Sequence, residues 1–216
     1  MLTRFRKSLT GLLKLLAYPF IKLGIPPNYL TLSSLIFCAF SSWLIVRSAF
    51  FYAFFPFAIG ALLDALDGTV ARAEGKSSKF GAFLDSNLDR YSDGIVLAGF
   101  ALAYSGLLMR ALVLAAMLGS FLVSYSRAKA ESMGVKMEGI GIGERAERLL
   151  IIGFTLLFPI LSEWTIAILA LLSNFTFLQR AYEAYVKLDS SKGLAPPSSG
   201  RRLYAVIAFL CASRFY

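Results

Sequence analysis

The chain has 216 residues, of which 57% are hydrophobic and only 16% charged, with no histidine and a net charge of +9. A soluble domain of this length carries about 25% charge, so the composition excludes an ordinary soluble globule and predicts an all-α integral membrane protein. In that class the basic excess marks loops on one side of a membrane rather than a nucleic-acid surface.

In chain order, residues 1–22 form the first predicted element. Leu2, Phe5, Leu9, Leu12, Leu13 and Leu16 recur at helical spacing, with Arg4, Lys7, Gly11 and Lys14 on the other face. That pattern predicts an amphipathic helix lying on the membrane surface. Lys14 interrupts the apolar stretch, which argues against a signal peptide. Charged residues then bound six apolar runs, at 23–46, 48–63, 94–109, 111–126, 149–162 and 164–179. Each is a candidate transmembrane helix, and together they define a domain over residues 23–186. A tail over 187–216 follows, with a linker at 190–202 and the short apolar segment LYAVIAFLCAS. Cys38 and Cys211 lie far apart in apolar surroundings, where neither a disulfide nor a thiolate metal site is expected.

Several runs have only 14 to 16 residues, fewer than the roughly 20 that cross the hydrocarbon. Their charged ends must then sit at membrane depth, where charge persists only if it faces a polar cavity. Loop charge alternates strictly. Arg72, Lys76, Lys79 and Arg90 follow span two, and Arg127, Lys129, Lys136, Arg145 and Arg148 follow span four. The opposite turns hold only Arg47, Arg110 and Glu163. The positive-inside rule places both termini and the second and fourth loops in the cytoplasm of a multi-pass cell-membrane protein.

The stretch DALDGTVARAEGKSSKFGAFLDSNLD carries four aspartates between spans two and three. Asp64 and Asp67 are three apart, and Asp85 and Asp89 four apart, so each pair shares a helix face. The hairpin between the spans brings the pairs together. Four unpaired carboxylates at membrane depth would cost about 10 kcal/mol, and a bound divalent cation or two relieves their repulsion. An all-oxygen set without histidine fits Mg²⁺ or Mn²⁺ rather than zinc or copper. Such ions bind phosphates, so a phosphate-bearing substrate is expected. Gly68 and Gly81 permit close approach, and Arg72 offers a phosphate fork. A purely structural network of acidic helix ends and basic loops is the competing account. The glycines and Arg72 at fixed positions favour a site.

These residues resemble the CDP-alcohol phosphatidyltransferase family, whose pattern D-x2-D-G-x2-A-R-x8-G-x3-D-x3-D is met here by Asp64, Asp67, Gly68, Ala71, Arg72, Gly81, Asp85 and Asp89. The resemblance implies a six-helix fold, usually a homodimer, and attack of an acceptor hydroxyl on the β-phosphate of a CDP-linked alcohol. It implies that Asp64, Asp67 and Asp85 bind one metal ion and Asp64, Asp85 and Asp89 a second, with Asp89 also the general base. Gly68, Ala71, Arg72, Ser78 and Gly81 would hold the CDP-lipid, together with Asn28, Tyr29, Leu30 and Thr31. Residues 125–150, YSRAKAESMGVKMEGIGIGERAERLL, are similar to the branch whose acceptor is inositol 1-phosphate. There Arg127, Lys129, Arg145 and Arg148 would hold the acceptor phosphate, although membrane anchoring alone would also put basic residues here. Within the family, glycerol 3-phosphate or free inositol is the alternative acceptor. Outside it, the rival is a cation transporter, which has no use for Gly68, Arg72 and Gly81 at fixed spacing. The lipid, diacylglycerol or archaeol, stays open.

Overall fold

The computed structural model describes the backbone of residues 2–76, 78–137 and 139–189 and, within these, the side chains of residues 11–188. The linker at 190–202, the apolar segment beyond it and Cys211 lie outside the described residues. Among the described residues there are seven α-helices and one short 3₁₀ turn, and no strand. The helices are α1 (Leu2–Lys22), α2 (Pro27–Val46), α3 (Phe50–Ala73), α4 (Lys79–Ala103), α5 (Leu107–Ser132), α6 (Arg145–Leu157) and α7 (Ser162–Asp189). Among the described residues, four stretches are long and apolar enough to cross a membrane: α2, α3, α5 and Pro159–Leu188. α4 is long but carries Asp85, Asp89, Arg90 and Asp93, and α6 has 13 residues, about 20 Å of helix.

Contacts divide the chain into two compact units, one of residues up to Ala111 with Gly153–Ser162, the other of Leu112–Ile152 with residues from Glu163 onward. In the first, α2 packs on both α3 and α4, and α1 packs on α3. The small residues of α2 make this possible. A Cβ on Gly60 would stand 3.0 Å from Cys38 Sγ, and one on Gly99 would stand 2.5 Å from Ser42 Oγ. The Ser41 hydroxyl donates to the Ala53 carbonyl at 2.8 Å and that of Ser42 to the Ile95 carbonyl at 2.7 Å. In lipid, close backbone approach and interhelical hydrogen bonds replace the hydrophobic drive that water would supply.

α1 ends on Gly24, whose φ of 65° lets Ile25 N–H reach back to the Phe20 carbonyl at 3.1 Å. Pro27 then starts α2, where its missing N–H costs nothing. Leu13, Phe20 and Ile21 pack against a cluster of Ala17, Leu30, Leu66 and Val70. Of the apolar face expected for α1, Leu13 thus turns to the core, while Leu12 and Leu16 are exposed.

In the second unit, Gly119 of α5 sits against Ser173 and Asn174 of α7, where a Cβ would come within 2.8 Å of the serine. Asn174 Nδ2 donates to the Ala115 carbonyl at 2.9 Å.

The structure shifts several expected boundaries. The aspartate pairs do not sit at helix ends. α3 runs two turns past Asp64 to Ala73, and α4 starts at Lys79, ahead of Asp85. Turn chemistry sets these limits. Gly75, at φ 65°, terminates α3, and Ser78 caps α4 by accepting the Gly81 N–H at 2.9 Å. Arg110 lies inside α5, because the chain turns at Tyr104–Gly106. Glu163 is in the first turn of α7, and the preceding break is at Phe158–Leu161.

Candidate active site

The site lies wholly within the first unit. A pocket of about 380 Å³ is lined by Pro26, Pro27, Asn28, Thr31, Asp67, Gly68, Ala71, Arg72, Lys76, Ser78, Gly81, Ala82 and Asp85. Three segments build it: the start of α2, the last two turns of α3 and the start of α4. The short Gly75 turn between α3 and α4 folds the motif back on itself. That turn is what places residues 18 apart, such as Asp67 and Asp85, on one cavity.

Asp64, Asp67 and Asp85 each direct a carboxylate oxygen to a common point, all within 4.8 Å of one another. Asp67 is the most buried, at 5% exposure. The Thr31 hydroxyl donates to its Oδ2 at 2.6 Å, a charge-assisted bond that fixes the carboxylate. Three convergent oxygens, one held by an outer hydroxyl, match what a hard divalent cation requires. Asp89 stands one turn further along α4, its Oδ2 3.4 Å from the Arg90 guanidinium, outside the group of three.

Arg72 also lines the pocket. The Arg72 guanidinium lies over Gly68, where a Cβ would stand 3.7 Å from Nη1. Gly81 is tighter, since a Cβ there would meet Ser78 Oγ at 3.0 Å. Of the nucleotide-binding residues expected from the sequence, Asn28, Thr31, Gly68, Ala71, Arg72, Ser78 and Gly81 line the pocket. Tyr29 and Leu30 do not: Tyr29 is exposed, and Leu30 is buried in the cluster that joins α1, α2 and α3. Lys76 lines the pocket and was not expected there. A lysine in a turn carries no periodic signal, and only the reversal at Gly75 brings it in. It pairs with Glu74 at 3.1 Å.

The four basic residues expected to hold an acceptor lie in the second unit and differ in environment. Arg127 pairs with Glu131 at 2.9 Å, one turn on. Lys129 is exposed and Arg145 half-buried as the first residue of α6. Arg148 is buried, its Nη1 donating to the Ser120 carbonyl at 3.4 Å. Arg180 of α7 is as deeply buried at 3% exposure, with Nε on the Ile140 carbonyl and Nη1 on that of Val123.

An all-oxygen carboxylate cluster on a pocket that also holds Arg72 and Lys76, among helices long and apolar enough to cross a membrane, fits a membrane-embedded phosphotransferase. The family model for CDP-alcohol phosphatidyltransferases matches residues 25–178, and the chain belongs to that family. It is 41% identical to the archaetidylinositol phosphate synthase of Pyrococcus horikoshii over 189 residues, 88% of this chain and 99% of that protein. It is 39% identical to the archaetidylinositol phosphate synthase of Methanothermobacter thermautotrophicus, over 77% of this chain and 87% of that protein. Among solved structures, Mycobacterium tuberculosis phosphatidylinositol phosphate synthase with CDP-DAG bound superposes with a TM-score of 0.72 at 26% identity, covering 80% of this chain and 93% of that one. The same enzyme in complex with manganese and citrate gives 0.71 at 27% identity, covering 80% of this chain and 88% of that one. The chain is therefore a membrane transferase of phospholipid biosynthesis.

Proposed function

We propose that this enzyme transfers the lipid phosphate of a CDP-lipid, diacylglycerol- or archaeol-based, to inositol 1-phosphate and releases CMP. The observation that carries the reading is the collapse of the family motif onto one pocket, where Asp67, Gly68, Ala71, Arg72, Gly81 and Asp85 meet Asn28 and Thr31 of α2. The acceptor is inferred from the relatives' names and from α6. Arg145 and Arg148 both occupy the first turn of α6, beside Glu144 and Glu147, and two guanidinium groups there offer charge for a phosphorylated acceptor.

Asp64, Asp67 and Asp85 would hold one Mg²⁺ or Mn²⁺, and Asp64, Asp85 and Asp89 a second. The ions supply positive charge to the diphosphate of the donor. Arg72, Ser78 and Asn28 orient the CDP group, and Gly68 and Gly81 keep room for it. The Asp89 carboxylate takes the proton of the acceptor hydroxyl. The hydroxyl oxygen then forms the new bond to the β-phosphorus, and the bond to the CMP oxygen breaks with its electron pair leaving on CMP.

We further infer that α4 and the stretch α6 with Pro159–Leu161 complete six spans, and that α1 lies at the membrane surface. Both termini and the pocket face the cytoplasm, and the protein works as a homodimer. The exposed leucines Leu12, Leu15 and Leu16 support the placement of α1. The deciding experiment incubates purified enzyme with CDP-archaeol or CDP-diacylglycerol and, in parallel, inositol 1-phosphate, glycerol 3-phosphate or inositol. The expected product is the lipid inositol phosphate with one CMP per turnover. A product formed with glycerol 3-phosphate or inositol alone would overturn the acceptor, and no CMP release with any acceptor would overturn the reaction.

A further inference from the structure

Among the described residues of the segment between α5 and α6, Val135 N–H donates to the Ala130 carbonyl at 2.9 Å and Ile140 N–H to that of Met137 at 3.4 Å. Four of its backbone groups bond to side chains of α7. The Lys187 ammonium donates to the Lys136 carbonyl at 3.1 Å, and Arg180 Nε to that of Ile140 at 2.9 Å. Gln179 Oε1 accepts the Ile142 N–H at 3.3 Å, and Thr176 Oγ1 accepts the Gly143 N–H at 2.9 Å. Thr176 is fully buried, and its hydroxyl in turn donates to the Leu172 carbonyl at 2.7 Å.

The glycines show how close this seat is. Gly141 has φ 104°, and a Cβ on it would stand 2.5 Å from Thr176 Cγ2. A Cβ on Gly143 would stand 2.8 Å from both Leu172 Cγ and Thr176 Oγ1. Gly143 is two residues before Arg145, where α6 starts. The Gly143–Thr176 bond therefore fixes the origin of α6 and the direction in which Arg145 leaves it.

We propose that Thr176 is a positioning residue for the acceptor: through Gly143 it sets Arg145 at the place where the acceptor phosphate binds. The inference rests on the acceptor reading above. A buried N–H stripped of its partner costs far more than the hydrogen bond itself contributes, so the loop would shift rather than leave Gly143 unbonded. Thr176→Val retains the shape and the Cγ2 contact with Gly141 but cannot accept that N–H. Thr176→Ser retains the hydroxyl.

The test measures KM for inositol 1-phosphate and for CDP-lipid in four full-length variants: Thr176→Val, Thr176→Ser, Arg145→Ala, and Thr176→Val with Arg145→Ala. Thermal unfolding in detergent is followed alongside. Thr176→Val is expected to raise KM for inositol 1-phosphate about 5- to 20-fold, with KM for CDP-lipid changed less than about twofold. Thr176→Ser should restore it, and the double variant should be no worse than Arg145→Ala, because both act through one contact. A merely structural threonine would lower the amount of active enzyme and leave both KM values alone, which overturns the inference. Arg145→Ala raising the acceptor KM while Thr176→Val does not would overturn it too, and would leave the acceptor reading standing. An Arg145→Ala variant with unchanged acceptor KM would overturn the acceptor role of Arg145 and the positioning role with it. If Thr176→Val does not fold, Gly141→Ala and Gly143→Ala press on the same seat, and the same split between the two KM values decides.

Discussion

At the scale of single residues, the pocket separates holding from reacting. Thr31 lines the pocket and donates to Asp67 Oδ2 at 2.6 Å. Removing such an outer partner typically costs 10- to 100-fold in metal affinity or activity. Thr31→Val should therefore raise the Mg²⁺ concentration for half-maximal activity by about that factor, read from a metal titration of initial rates. An unchanged titration curve would leave the Thr31 bond without a role in ion binding. Asp89, one turn beyond the three gathered carboxylates, is the proposed base. Asp89→Asn should lower kcat by about 10² to 10⁴ and leave KM for CDP-lipid nearly as it was. A metal titration should accompany it, because Asp89 is also a proposed ligand. Turnover near that of the unmodified enzyme would remove Asp89 from the chemistry. Lys76 is more than half exposed and already paired with Glu74, so its share in holding the donor is small. Lys76→Ala should raise KM for CDP-lipid by no more than about fivefold, and a larger rise would make it a principal phosphate ligand.

At the scale of elements, helices meet where side chains are missing. Gly99 on α4 faces Ser42 on α2 with no room for a methyl group, whose carbon would fall 2.5 Å from Oγ. Gly99→Ala should destabilise the protein by about 1 to 3 kcal/mol, seen as a lower unfolding temperature in detergent. Gly106, in the turn between α4 and α5, has open space around it, and Gly106→Ala is the matched control expected to unfold with the unmodified protein. Equal unfolding temperatures for the two variants would mean that α2 and α4 separate easily. The 3₁₀ turn at Pro159–Leu161 acts differently, dividing α6 from α7 where the charge pattern placed the division at Glu163.

At the scale of the whole molecule, activity depends on relieving the charge of Asp64, Asp67 and Asp85. Excess chelator should abolish CMP release, and Mg²⁺ or Mn²⁺ should restore it. Full activity in chelator would overturn the metal requirement.

Some of this architecture was legible in the sequence, and for physical reasons. Charge cannot sit in lipid without a partner, so charged residues marked off the apolar runs that became α2, α3, α5 and α7. The spacing of Asp64, Asp67, Asp85 and Asp89 is a property of helices, and it placed each pair on one face whatever the packing. Glycine and arginine at fixed offsets from those pairs, Gly68, Arg72 and Gly81, line the same pocket as Asp67 and Asp85. Other features depended on contacts between residues distant in the chain. Tyr29 and Leu30 share a motif with Asn28 and Thr31, but a helix turns them away, and only the packing of α2 on α3 decides which face meets the pocket. Lys76 joined the pocket because of the fold-back at Gly75. Arg148, expected to hold the acceptor phosphate, and Arg180 are both buried on backbone carbonyls, which no linear pattern shows. The repeated glycines of the α5–α6 segment were the available signal for a close approach there. Composition and periodicity indicated which segments are helical and where acidic pairs share a face, because both follow from local geometry and the cost of burying charge. Which carboxylates converge, and what Thr31, Arg148 and Arg180 bond to, only the tertiary structure decided, because the bonds of these three residues reach 28 to 57 positions along the chain.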